Sequence, residues 1–227
     1  MRFRLTYQGE LRSNQRDPQN GQRDRLAEHK QSIRKIFHGQ LKQLWQTNKF
    51  LSEHTVDPNA WFSTNAIPAN QVGQPGFWGG GPEPEQLPLS EAIANLHREN
   101  GYRFVPLVRE NFSLLCSLDI LFLRRDFGHG VISSGDLDNR IKTLIDALRK
   151  PHNANELGGN ESPASGEDPF YCLLEDDDLV TGLSVQADML LDPPVADQPA
   201  RALSEVKLVI SVEIKPSHVT MFNLSFA

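Results

Sequence analysis

Two groups of carboxylates in this chain have the residue types and spacing of a divalent-cation site. Asp136 and Asp138 are one residue apart at the start of a predicted helix, and Lys142 follows one turn later. A second group occupies residues 175–178, with the sequence Glu-Asp-Asp-Asp, just before a predicted strand. Mg²⁺ prefers a few carboxylate oxygens together with substrate phosphate. If folding brings the two groups together, the bound ion could serve phosphodiester hydrolysis while Lys142 stabilises charge on the phosphate.

The same residues also have ordinary structural explanations. Asp138 is a good N-cap residue for the predicted helix, and Asp138 with Lys142 has the spacing of a simple intrahelical ion pair. An acidic run before a strand is often a solvated loop. Spacing alone therefore indicates a candidate metal site and nothing more specific.

Hydrophobic periodicity predicts the elements that must position these residues. We expect strands at 3–7, 104–108, 112–123, 179–191 and 205–215, and helices at about 23–50, 90–99 and from Asp138 to Pro151. The fold class is α/β (α+β), a small mixed β-sheet of about four to five strands packed by two or three helices. We predict one domain over residues 1–227, with a Pro/Gly/aromatic-rich insertion at 55–110 and an extended polar loop at 151–170.

Charge is distributed unevenly along the chain. The net charge is -6, yet residues 1–50 hold eleven Lys/Arg against four Asp/Glu, a balance of 11 − 4 = +7, whereas residues 151–200 contain eleven acidic residues and no Lys or Arg. Phosphate binding needs a local basic face and not a basic protein. The predicted nucleic-acid contacts are Arg25, Arg34 and Lys35 in the basic helix, with Arg124 and Arg125 at the end of the central strand.

Several classes of protein are disfavoured by composition. No apolar run approaches the roughly 20 residues that span a bilayer, and the first residues do not form a secretory signal. Two cysteines are too few for a disulfide framework, so we expect a cytoplasmic protein. The run Gly79-Gly80-Gly81 lacks the Lys-Ser/Thr of a phosphate loop, so no nucleotide cofactor is predicted, and the histidines show no zinc-ligand spacing with the cysteines.

The acidic block resembles the signature of the RusA family of Holliday-junction resolvases. That signature reads D-x-D-N-x-x-K, then D-A-L on the same helix, then a D-D pair before a strand. The matching residues here are Asp136, Asp138, Asn139, Lys142, the run 146–148, Asp176, Asp177 and Val180.

The resemblance implies a role for each matching residue. Asp136, Asp138 and Asp177 would bind Mg²⁺ (or Mn²⁺), and Lys142 would be the catalytic lysine. Asp176 is the alternative third ligand, because three consecutive aspartates allow the register to slip. The family implies a homodimer that cleaves branched, four-way DNA.

The chain departs from the family in being longer and in carrying an acidic loop beside the predicted site. Two alternatives therefore stay open. One is a RusA-like nucleic-acid-binding or phage-associated regulatory protein without nuclease activity. The other is a nuclease that uses the same metal chemistry on RNA or flapped DNA.

Overall fold

The computed structural model describes residues 1–13, 25–56, 86–125, 136–160, 162–191, 205–220 and 223–226. The aromatic-rich part of the predicted insertion, with Trp61, Phe62, Phe77 and Trp78, lies outside the described residues.

Nine strands and four helices are present in the described ranges. The strands are β1 (Arg2–Glu10), β2 (Thr55–Val56), β3 (Leu87–Pro88), β4 (Arg98–Glu99), β5 (Tyr102–Val108), β6 (Leu114–Arg124), β7 (Phe170–Leu174), β8 (Val180–Met189) and β9 (Glu205–Pro216). The helices are α1 (Arg25–Thr47), α2 (Lys49–Glu53), α3 (Leu89–Leu96) and α4 (Asp136–Leu148). Short 3₁₀ turns occur at Glu110–Phe112, Ala154–Leu157, Asp177–Leu179 and Leu224–Phe226.

The main sheet has the strand order β1-β9-β6-β8 and confirms the predicted mixed α+β class. β9 runs antiparallel to both β1 and β6, whereas β8 runs parallel to β6. Strand β9 explains the period of two in its sequence. One face of the strand is buried, and it carries the alternate residues Val206, Leu208, Ile210, Val212 and Ile214. This sheet carries the acidic tract at the start of β8.

A second, three-stranded sheet joins β4, β5 and β7. β5 pairs in parallel with β7, and Phe104, Val105, Phe170 and Leu173 on these strands are buried. The sequence prediction missed β7, because a short apolar run after a polar loop has no period of its own to read. β5 and α3 come from the segment predicted as an insertion, yet Ile93 and Val105 belong to the main hydrophobic core.

The predicted helices are present with changed ends. Ile33, Phe37, Leu41 and Trp45 form the buried face of α1. Helix α4 already includes Asp136, so Asp138 lies inside its first turn. The expectation that Asp138 is the N-cap is therefore wrong.

Within the described ranges, no helix combines the length and the apolar character needed to cross a membrane.

Candidate metal and phosphate site

A cavity of about 480 Å³ lies between α4 and the start of β8. Its polar lining consists of Asp138, Lys142, Asp146 and Asp177. The remaining lining residues are Leu137, Ile141, Ile145, Leu183 and Val185. Three of the four residues predicted to be catalytic therefore line one cavity, although 35 or more positions separate Asp177 from the other two in the sequence.

Asp138 and Lys142 present exposed charges along one face of α4. Among the residues that the structure describes, no ion pair joins Asp138 to Lys142, so the simple intrahelical pair considered above is not formed. Asp136 is the first residue of the helix, and its side chain lies outside the described part. Asp138 and Lys142 both line the cavity and are not paired with each other.

Asp176 and Asp177 carry neighbouring carboxyl groups at the start of the turn that precedes β8. Asp176 is the N-cap of this turn, and its Oδ1 accepts a bond of 2.7 Å from the backbone N–H of Asp177. A side-chain hydrogen bond between the two lowers the pKa of Asp176 and raises that of Asp177. Two carboxyl groups so close together disfavour full ionisation of both, and a bound cation would offset this repulsion. Only Asp177 of the two lines the cavity.

His152 is a third member of this group that sequence reasoning missed. One ligand atom from each of His152, Asp176 and Asp177 lies within 4.8 Å of the others. Asp138 is not part of this group, and it lies eight residues from Asp146 on α4, about 12 Å along the helix axis. The single ion predicted to link Asp136, Asp138 and Asp177 therefore stays a prediction.

Asp146 lies at the buried end of the cavity and is held by two cations. Lys30 Nζ of α1 lies 2.5 Å from its Oδ2, and Arg149 Nε lies 3.8 Å from its Oδ1. Arg149 also lies 4.0 Å from Asp177 Oδ1 and binds both carboxylate oxygens of Glu156. Burial would raise the pKa of Glu156, but the bonds from Arg149 outweigh it, and the pKa is lowered. No sequence signal connects these residues, because Lys30 and Asp146 are far apart in the chain.

Arg34 is a correction to the predicted nucleic-acid contacts. Its side chain is 1% exposed, and the guanidinium donates to the carbonyl oxygens of Arg149 (3.0 Å), Asp146 (2.9 Å) and Glu156 (3.4 Å). Two of these carbonyls belong to the last turn of α4 and its end, where cations are favourable. Arg34 thus stabilises the helix that carries Asp138 and Lys142, and a residue so deeply buried cannot contact DNA in this fold.

Two acidic residues of the described part of the loop after α4 are paired with cations. Glu167 pairs with Lys35 at 3.1 Å, and Asp168 pairs with Arg103 at 2.8 Å. Lys35 also donates to the side chain of Asn160. Lys35 of α1 therefore binds this loop and offsets part of its negative charge.

The other predicted contact residues lie elsewhere. The side chain of Arg25 lies outside the described part. Arg125 Nη2 is 3.4 Å from Glu205. Arg124 pairs with Met189 at the far end of β8, nine residues beyond Val180 and so about 30 Å from the acidic tract. DNA contact by Lys35, Arg124 and Arg125 stays a prediction.

Comparison with known proteins adds no family assignment: no family model, no curated protein and no solved structure matches the chain. The resemblance to RusA resolvases therefore depends on the spaced motif alone.

Proposed function

We propose that this chain is a Mg²⁺-dependent endonuclease that cleaves branched DNA, as the resemblance to RusA resolvases implies. The observation that carries the proposal is the common cavity lined by Asp138, Lys142 and Asp177. Asp177 is distant in the sequence from Asp138 and Lys142, yet all three line this cavity, as a shared site requires.

The donor set fits a hard divalent cation. Asp138 and Asp177 offer carboxylate oxygens, which Mg²⁺ prefers, and each side chain is accessible from the cavity. When bound, Mg²⁺ would offset phosphate charge and lower the pKa of a water molecule for hydrolysis. Asp136, Asp138 and Asp177, with Asp176 as the alternative to the last, would hold the ion.

The protein's own contribution is orientation and charge. The ammonium group of Lys142 would bind a non-bridging phosphate oxygen and stabilise the negative charge that develops there. The apolar lining from Ile141, Ile145 and Val185 would exclude bulk water and strengthen this interaction. Asp146 is already neutralised by Lys30, so it would not compete with Asp138 and Asp177 for the ion.

A nicking assay tests the proposal directly. The full chain is incubated with a labelled four-way junction and Mg²⁺, beside the variants Asp138→Asn, Lys142→Ala and Asp177→Asn. We expect nicking by the natural protein and losses of at least about 100-fold in each variant. Asp178→Asn is the matched control, because Asp178 is exposed in the same tract but does not line the cavity.

The outcomes separate the alternatives. Full cleavage by Asp138→Asn would show that Asp138 has no catalytic role. Preferential cleavage of RNA or flapped DNA in a competition assay would show that the substrate is not a four-way junction. Binding of branched DNA without cleavage, over a range of Mg²⁺ and Mn²⁺ concentrations, would favour an inactive RusA-like binding protein. One observation favours that alternative: Asp138 lies outside the compact group formed by His152, Asp176 and Asp177.

A further inference from the structure

An imidazole nitrogen lies beside the acidic tract. His152 Nε2 is 3.8 Å from Asp176 Oδ1, and both side chains are 41% exposed. With Asp177, these residues offer one nitrogen and two oxygen ligands within 4.8 Å of one another. Ligand atoms around one ion at about 2.1 Å lie up to about 4.2 Å apart. Small side-chain rotations would therefore bring all three onto a common ion.

The backbone around His152 is tied to the strand that leads into the acidic tract. Arg149 forms a parallel bridge with Leu174, and the Lys150 N–H donates to the Leu174 carbonyl at 2.9 Å. The His152 N–H donates to Glu156 at 3.3 Å. The imidazole and the two carboxylates thus extend from two segments that are hydrogen-bonded to each other.

The guanidinium of Arg149 lies beside the same group, and its Nη atoms already bind Glu156 and the Lys150 carbonyl. The side chain of Arg149 is 9% exposed, and its Nε has no hydrogen-bond partner among the described residues. This nitrogen lies 4.0 Å from Asp177 Oδ1 and 3.8 Å from Asp146 Oδ1, which is too far for a direct hydrogen bond. An oxygen atom of a water molecule or of a phosphate held between these groups would accept its bond.

We propose that His152, Asp176 and Asp177 form a site for a first-row transition ion that accepts one imidazole nitrogen and two carboxylate oxygens. Imidazole ligands favour such ions, whereas Mg²⁺ is bound mainly through oxygen. The inference deepens the proposed function and rests on it in one respect, because Asp177 belongs to both sites. His152 would make the protein distinguish Co²⁺ or Zn²⁺ from Mg²⁺.

Direct metal binding tests the inference without any nuclease assay. The full chain is titrated calorimetrically with Co²⁺ and with Mg²⁺, beside His152→Ala and the control His218→Ala. His218 is an exposed histidine outside the group. We expect His152→Ala to weaken Co²⁺ binding about 10- to 100-fold and to leave Mg²⁺ binding within about twofold, while His218→Ala changes neither.

A spectroscopic signal separates ligation from an indirect effect. The Co²⁺ form should show a hyperfine-shifted imidazole proton resonance that disappears in His152→Ala and persists in His218→Ala. Absence of this resonance from the natural protein, equal Co²⁺ affinity in His152→Ala, or no Co²⁺ binding at all would each overturn the inference. Co²⁺ binding through His152 without junction cleavage would leave the inference standing and remove the proposed function. Mg²⁺-dependent cleavage that His152→Ala does not affect, with no imidazole resonance, would support the proposed function and overturn the inference.

Discussion

Replacement of Arg34 by methionine tests whether a buried guanidinium holds the end of α4. The substitution keeps an unbranched side chain of similar length but removes every donor. The carbonyl oxygens of Arg149, Asp146 and Glu156 would each lose a charged partner. A buried acceptor left without a partner costs about 1–3 kcal/mol.

An opposing effect reduces the total loss. Burial lowers the pKa of Arg34 to about 10, so the folded protein already disfavours the charged form by about 3 kcal/mol. Methionine removes that desolvation cost. The lost bonds to three carbonyls outweigh it, and we expect the free energy of unfolding to fall by about 3 kcal/mol, within the range measured for broken buried charge networks.

Urea denaturation followed by circular dichroism measures the effect, and Arg103→Met is the matched control. Arg103 likewise donates to several oxygen atoms, here the carboxylates of Glu91 and Asp168, but these pairs are partly exposed. Such pairs contribute about 1 kcal/mol or less. An Arg34→Met protein within about 1 kcal/mol of the natural one would refute the assignment of Arg34 as a structural residue and reopen its availability for DNA.

Two further substitutions test the packing around the site. Burial, then the nearby cations Lys150 and Arg109, lower the pKa of His97 to about 4, and Glu175 at 3.9 Å does not offset them. The unfolded state therefore binds a proton between pH 6.5 and 4 that the native state does not, so the free energy of unfolding should fall by up to about 3 kcal/mol as pH falls through that window. Urea titrations at pH 7, 5.5 and 4.5 should show this loss in the natural protein and a smaller one in His97→Gln; equal losses would contradict the assignment. Gly158 has φ +60, and a Cβ there would lie 2.6 Å from Glu28 N and against its Cα, so Gly158→Ala should cost about 3 kcal/mol. Gly159→Ala, at φ +79 with nothing within 4 Å, should cost only about 1 kcal/mol, and equal melting temperatures for the two variants would disprove the close approach of this loop to α1.

The strands and helices were largely predictable from the sequence. β1, β6 and β9 follow a period of two, and α1 and α4 follow a helical period, because burial of one face selects apolar residues at regular spacing. The acidic motif was also readable, since Asp138, Lys142 and the tract 175–178 are local patterns. Strand β7 was not, because five apolar residues carry no periodic signal.

Tertiary packing determined which of these side chains lie together and which are buried. Nothing local distinguishes Arg34 from Lys35, yet the fold buries the first beneath the end of α4 and leaves the second at the surface against the acidic loop. His152 is equally unremarkable in the sequence, and it reaches Asp176 only because the end of α4 is hydrogen-bonded to β7. The sequence by itself determined the side-chain types of the acidic motif and the periods of the strands and helices. Contacts between segments that are distant in the sequence determined which charges meet and which are paired inside the protein, and no local pattern encodes such contacts.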